Sequence, residues 1–158
     1  MTVVSDFYRV NVRVHWADTD AAGIVWFGNF LRFFEEAEDE LFRALGRTRL
    51  ELIRDFGILM PRVEAGCKFR APARAEEVLS IGIGVHEMTE RRISYLFEAR
   101  KGDTNGLVCE GSYRVACVSA DTFKPRDFPP AMRLLMNRLP ALIDEQRSDR
   151  RRTAAGWA

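Results

Sequence analysis

Apolar and polar residues alternate without interruption from Tyr8 to Trp16. Tyr8, Val10, Val12, Val14 and Trp16 fall on one face, and Arg9, Asn11, Arg13 and His15 on the other. A period of two marks a strand with one face buried. The polar stretch from Ala17 to Gly23 ends it. The period then lengthens. Between Asn29 and Leu45, the residues Phe30, Phe34, Ala37, Leu41 and Leu45 recur at spacings of three and four, and Phe33 and Ala44 broaden the stripe. This is one face of a helix, roughly 25 Å long at about 1.5 Å per residue. Arg32, Glu35, Glu36, Asp39, Glu40 and Arg43 occupy the rest of its surface, and Gly46 stands where a left-handed residue closes a helix. So wide an apolar stripe needs a partner as broad as a sheet. Leu50 to Asp55 predicts a short second helix.

From Gly57 onward the pattern is that of strands. Ile58 to Phe69 predicts one strand, broken or bent around Pro61 and Gly66. Leu79, Ile81, Ile83 and Val85 alternate in the next, and Ile93, Tyr95, Phe97 and Ala99 in the one after, joined by a tight connection at Met88–Arg91. Asp103-Thr104-Asn105-Gly106 reads as a hairpin turn, because Asn-Gly accepts positive φ. Leu107 to Val118 predicts a long apolar strand. Pro125, Pro129 and Pro130 close the sheet region, and Ala131 to Gln146 is helical, interrupted or kinked at Pro140. The order is strand, long helix, four strands and a last helix, which is an α+β arrangement with the sheet laid around the long helix. Residues 1–128 are expected to form the main domain, and residues 129–158 a C-terminal helix with a basic, flexible tail around Arg147, Arg150, Arg151 and Arg152.

Charge and composition narrow the classes. A formal net charge of +1 gives no global attraction to nucleic acid. No apolar run is long enough to span a membrane, and Met1–Asp6 lacks the basic and apolar regions of a secretory signal. The three cysteines, Cys67, Cys109 and Cys117, are scattered and odd in number, which fits buried, reduced thiols in a cytoplasmic protein. With only His15 and His86 as histidines, a metal site is not expected. Neither histidine has motif support: His15 falls on the polar face of its strand, and His86 near a strand end.

The chemistry concentrates between Asp18 and Asn29, which reads Asp-Thr-Asp-Ala-Ala-Gly-Ile-Val-Trp-Phe-Gly-Asn. Two carboxylates stand at a strand end, Gly23 follows Asp20 by three, and an apolar, aromatic run leads into the helix. A helix start offers unpaired N–H groups and the positive end of its dipole. Those donors can hold a carbonyl oxygen as it becomes an oxyanion, while a loop carboxylate attacks the carbonyl or activates water. Trp26, Phe27 and Phe30 can line an acyl pocket. Residue types alone equally allow Asx-turn and capping roles for Asp18 and Asp20, and core roles for the aromatics.

The stretch from Trp16 to Phe30 resembles the signature of the 4-hydroxybenzoyl-CoA thioesterase family: aromatic-x-Asp-x-Asp-x-x-Gly-[Ile/Val]-Val-aromatic-aromatic-x-x-aromatic. Lys68-Phe-Arg-Ala-Pro-Ala-Arg74 is similar to that family's strand entering the sheet, so the likeness covers roughly Tyr8 to Ser119. The resemblance implies a hotdog fold, in which an antiparallel sheet of about five strands wraps one long central helix. It implies hydrolysis of an acyl-CoA thioester to a free acid and CoA with no metal or organic cofactor. It places the catalytic carboxylate at Asp20 and the oxyanion donor at the backbone N–H of Phe27, with Asp18 and Gly23 shaping the loop and Trp26 and Phe30 meeting substrate. Arg91 and Arg92, in a turn, correspond to basic residues that hold CoA phosphates. Gly28 departs from bacterial relatives that carry a His after the aromatic pair, which favours an aryl acyl group of benzoyl or hydroxybenzoyl type. A hotdog dehydratase would need a His on the helix, and none lies between Asn29 and Leu45. A non-catalytic acyl-CoA-binding or envelope-associated hotdog protein is the other alternative. The resemblance also implies a homodimer or homotetramer, joined at sheet edges, with the Leu107–Val118 strand a candidate for that contact.

Overall fold

The computed structural model describes residues 6–156. The N-terminal reading at Met1–Ser5 lies outside the described residues. Strand β1 (Tyr8–Arg13) is followed by helix α1 (Asn29–Ala44) and helix α2 (Arg49–Phe56). Strands β2 (Ile58–Leu59), β3 (Arg62–Phe69), β4 (Val78–Met88), β5 (Arg92–Lys101), β6 (Leu107–Ala116) and β7 (Val118–Ser119) come next, then helices α3 (Pro130–Met136) and α4 (Leu139–Ala155). Five strands form one sheet in the order β1-β4-β5-β6-β3, and β2 pairs with β7 in a small second sheet. Every neighbouring pair is antiparallel. The sheet wraps α1, which is the hotdog arrangement. Among the described residues, no helix is long and apolar enough to cross a membrane.

Alternation along the strands sets the layers. In β5, Ile93, Tyr95, Phe97 and Ala99 are buried while the residues between them are not. They meet Phe33, Phe34, Ala37 and Leu41 of α1 in one core. The closest seating is that of Phe34, whose ring stacks on Phe97 with centroids 4.6 Å apart. Its edge occupies the space above Gly111 of β6, where any Cβ would overlap the ring. The core also buries one carboxylate, Glu38 on α1. It accepts hydrogen bonds from Arg49 at 2.8 Å and the Tyr113 hydroxyl at 2.8 Å, and the Arg62 guanidinium closes on the same oxygen. Burial, with Glu38 beside it, pushes the Tyr113 hydroxyl far above its ordinary range.

Several expectations need correction. Strand β1 ends at Arg13, and the chain turns in a single 3-10 turn, Trp16–Asp18, so Trp16 leaves the buried face and is 84% exposed. Proline breaks the expected Ile58–Phe69 strand at Pro61, where an amide donor is missing, but β3 runs through Gly66 uninterrupted. Leu107–Val118 is no edge: β6 lies between β5 and β3. At Pro140 the helical pattern is interrupted rather than kinked: α3 ends at Met136, and Pro140 lies in the first turn of α4, where no amide partner is needed. The basic run is helical to Ala155, and Met132, Leu135, Met136, Leu139 and Ile143 join the same core as α1.

The two outer strands are treated differently. Gln146 of α4 accepts a hydrogen bond from the Arg9 amide and donates one to the Arg9 carbonyl, both at 2.8 Å, so its side chain takes the place of a neighbouring strand at that residue of β1. Arg147 reinforces that contact through Asp6 at 2.6 Å. Among the described residues, strand β3 has no such cover, and it is exposed along nearly its whole length.

Replacing Gly111 with Ala should force Phe34 out of its slot, destabilising the fold by about 1–3 kcal/mol, the usual effect of overpacking. For a chain of this size that lowers the melting temperature by roughly 2–4 °C per kcal/mol. A thermal melt followed by circular dichroism measures it; an unchanged transition would contradict the seating of α1 on the sheet.

Candidate active site

The loop between β1 and α1 is built around Asp18. Its side chain is buried, and Oδ2 accepts the His15 amide at 2.8 Å. Arg32, one turn into α1, places its guanidinium on Oδ1. The Asp18 carbonyl accepts both the Trp26 amide and the Asn29 side-chain amide at 2.9 Å. One residue therefore ties the loop's entry to its exit and both to the helix. Above this base, Thr19 and Val25 bridge as in an antiparallel pair, and the Asp20 amide donates to the Ile24 carbonyl at 2.9 Å. Gly23, at φ +74°, closes the tip.

Asp20 sits on this tip and is exposed. Its Oδ1 accepts the Ala22 amide at 2.9 Å, and Oδ2 has no protein partner among the described residues. The carboxylate borders a cleft of about 500 Å³, shared with Ile24, Phe27, Phe30, Phe69 and Pro72. That volume lies in the range of small-molecule sites, roughly 300–1,000 Å³. The far wall, residues 69–73, is held to the loop by the Val25 amide on the Ala73 carbonyl at 2.8 Å. At the start of α1, the Asn29 amide donates to the Trp26 carbonyl, whereas the Phe27 amide has no acceptor among the described residues. A carboxylate oxygen and an amide proton are thus both unengaged on residues of one largely apolar cleft, beside the positive end of a helix.

The aromatic residues divide the work of lining it. Phe69 packs edge-on to Phe27 with centroids 6.4 Å apart and against Phe30 at 5.7 Å. Trp26 does not line the cleft; it leans on the back of Phe27 at 4.9 Å. Phe69 falls within the Lys68–Arg74 motif, yet its place in the site depends on β3 lying beside α1, which residue spacing does not show. Arg32 and Asn29 carried no signal as site residues, since both look like solvated helix positions.

The structure does not bring Arg91 and Arg92 to Asp20. Arg92 is paired in register with Ala116, and Phe69 with Cys109. The stretch of β6 between those levels is roughly 23 Å at about 3.3 Å per residue. Arg91 pairs instead with Asp127 at 2.5 Å, which raises its pKa. Arg70, bound to Glu110 at 2.8 Å, is the basic side chain that borders the cleft. Neither His15 nor His86 borders it. Cys67 is only half-buried, on the exposed strand β3 rather than in the core, and with burial it pushes the neighbouring Cys109 thiol upward. Among the described residues no group of His, Cys, Asp and Glu is arranged to hold a metal ion.

An antiparallel sheet around one helix, with a cleft at that helix's start, defines a hotdog enzyme of the thioesterase class. Residues 14–135 match the thioesterase-like superfamily, and the chain belongs to it. A Haemophilus influenzae protein named acyl-CoA thioesterase YbgC is 29% identical over 128 residues, covering 81% of this chain and 93% of the relative. The 1,4-dihydroxy-2-naphthoyl-CoA hydrolase of Thermosynechococcus vestitus is 33% identical over 115 residues, covering 73% of this chain and 71% of the relative. A solved gentisyl-coenzyme A thioesterase superposes with a TM-score of 0.72 at 26% identity, covering 80% of this chain and 99% of that one.

The contacts of Asp18 predict a separation between stability and exposure. Arg32→Gln and Asp18→Asn each leave a buried hydrogen-bonding group short of a partner, and each should destabilise by about 1–3 kcal/mol. Asp20→Asn removes no buried contact and should stay within about 0.5 kcal/mol of the parent. Chemical denaturation of the three variants measures this, and a larger loss for Asp20→Asn than for Asp18→Asn would reverse the assignment of the loop's anchor.

Proposed function

We propose that this chain hydrolyses acyl-CoA thioesters with an aromatic acyl group, in the manner of 4-hydroxybenzoyl-CoA thioesterases, using Asp20 as the catalytic carboxylate and the Phe27 amide as the oxyanion donor. The observation that carries the reading is the unengaged Asp20 oxygen and the unengaged Phe27 amide on one cleft walled by Phe27, Phe30 and Phe69. Aromatic side chains favour a planar acyl group, with ring contacts adding about 0.5–1.5 kcal/mol beyond burial. Two of the relatives described above are named for aryl-CoA substrates, which supports the same class.

The chemistry follows from these groups. As a nucleophile, Asp20 adds to the thioester carbon while the Phe27 amide holds the carbonyl oxygen. The C–S bond then breaks, CoA leaves as a thiolate, and water opens the resulting anhydride to give the free acid. As a general base, Asp20 instead takes a proton from a water whose oxygen adds to that carbon, and the C–S bond breaks from the same tetrahedral intermediate. Both routes need the carboxylate ionised. No metal or organic cofactor enters either one. A hotdog dehydratase would need a His on α1, and the residues Asn29–Ala44 include none.

A second copy completes the reading. Two-fold antiparallel pairing of β3 with itself would lay the Arg62 end of one copy beside the Phe69 end of the other. That brings Arg91 and Arg92 of the second copy toward the cleft, where they hold CoA phosphates with the planar, forked geometry suited to them. The working unit is then a homodimer, alone or paired into a homotetramer.

Asp20→Asn should lower kcat at least 10²–10⁴-fold, the range expected for loss of a catalytic base, and benzoyl-CoA should exceed butyryl-CoA at least about tenfold in kcat/KM. Near-normal turnover by folded Asp20→Asn would remove the carboxylate assignment. Equal turnover of the two substrates would remove the aryl preference alone, and binding of acyl-CoA without release of thiol would favour a non-catalytic binding protein.

The pairing predicts a species of at least two chains in sedimentation at micromolar concentration. It also predicts that Arg91→Ala with Arg92→Ala raises KM more than it lowers kcat, because phosphate contacts are alike in ground and transition states. A monomer with normal activity would place the phosphates near Arg70 instead.

A further inference from the structure

Gly28 caps α1 with φ −67° and ψ −23°, ordinary right-handed values that need no glycine. The need is for space. A Cβ on Gly28 would overlap the six-membered ring of Trp26, whose Cε3 would lie 2.8 Å away and whose outer carbons would be nearer still. The indole lies over the helix start in the room that the missing side chain leaves. From there it leans on Phe27, centroid to centroid 4.9 Å at an interplanar angle of 46°. Phe27 in turn borders the cleft and faces Phe69. Neither Trp26 nor Phe27 is held by the core, for they are 47% and 62% exposed. Their rings keep their direction through one another and through the slot above Gly28.

We propose that Gly28 and Trp26 are positioning residues that set the acyl specificity of the cleft: the indole, seated over Gly28, props the Phe27 ring as a flat wall against an aromatic acyl group. This rests on the aryl thioesterase reading above. With any side chain at residue 28 the indole must swing out, Phe27 loses its support, and the wall becomes mobile. A flexible alkyl group adapts to that loss, and a rigid planar one does not. The two positions act in series, so a change at one makes the other redundant.

Two measurements test it. The first is the ratio of kcat/KM for benzoyl-CoA to that for butyryl-CoA in the parent, Gly28→Ala, Trp26→Ala and the double variant. Each single change should lower the ratio at least fivefold, and the double variant should match Trp26→Ala within about twofold. An unchanged ratio in Gly28→Ala, or single effects that multiply in the double variant, would overturn the wedge. The second needs no turnover. With Trp16→Phe and Trp157→Phe as background, Trp26 is the single tryptophan, and Gly28→Ala should increase its quenching by acrylamide at least twofold. Unchanged quenching would show that the indole never sat over Gly28. A parent protein that hydrolyses none of the acyl-CoAs would instead remove the thioesterase reading and the specificity claim with it, whatever the quenching shows.

Discussion

The fold depends on how closely α1 can approach the sheet, and that distance is set by Phe34 entering the space above Gly111. A helix packed on a strongly curved sheet has a narrow range of heights at which both surfaces fill without voids. The stacked pair of Phe34 and Phe97 fixes one point of that contact, and the alternating buried residues of β4 and β5 fix the rest. Everything at the start of α1 inherits this placement. The Phe27 amide, two residues before that helix, has no acceptor among the described residues.

The loop that carries Asp20 has the opposite character. It owes little to apolar packing and nearly all its shape to hydrogen bonds that converge on Asp18. Burying one carboxylate, satisfying it from His15 and Arg32, and holding the same residue's carbonyl from Trp26 and Asn29 makes a rigid base from few residues. Its neighbour two positions on remains exposed and only half-bonded. Two acidic residues of one loop thereby end in different states, one buried and fully bonded, one exposed on the cleft. The difference arises from environment, since the side chains are identical.

Much of this was legible in the order of residues, and what was not has physical causes. The parity of Tyr8 to Val14 and the stripe from Phe30 to Leu45 report burial directly, because side-chain direction repeats with the period of the backbone. Trp16 breaks the parity because the turn at Asp18 begins before the alternation ends, and alternation alone does not locate a turn. Arg91 and Arg92 look adjacent to the site only while strand register is unknown; register places them at the far end of β6 from the cleft. Phe69 and Arg32 belong to the loop's surroundings through contacts between elements distant in sequence. The basic run after Gln146 reads as a solvated tail because its arginines are polar, yet it continues a helix held by Leu139 and Ile143 in the core and by Gln146 on β1.

That side chain has a further consequence. Gln146 presents to Arg9 of β1 the same donor and acceptor that another strand would offer, and so stands in the way of a strand approaching from that side. A sheet open on both sides can add copies indefinitely and grow into a ribbon. Obstructed on one side, it favours addition at the other. Among the described residues, strand β3 is then the outer strand of the five-stranded sheet left open to another chain, and the C-terminal helix, by standing over β1, makes the two sides of the sheet unequal.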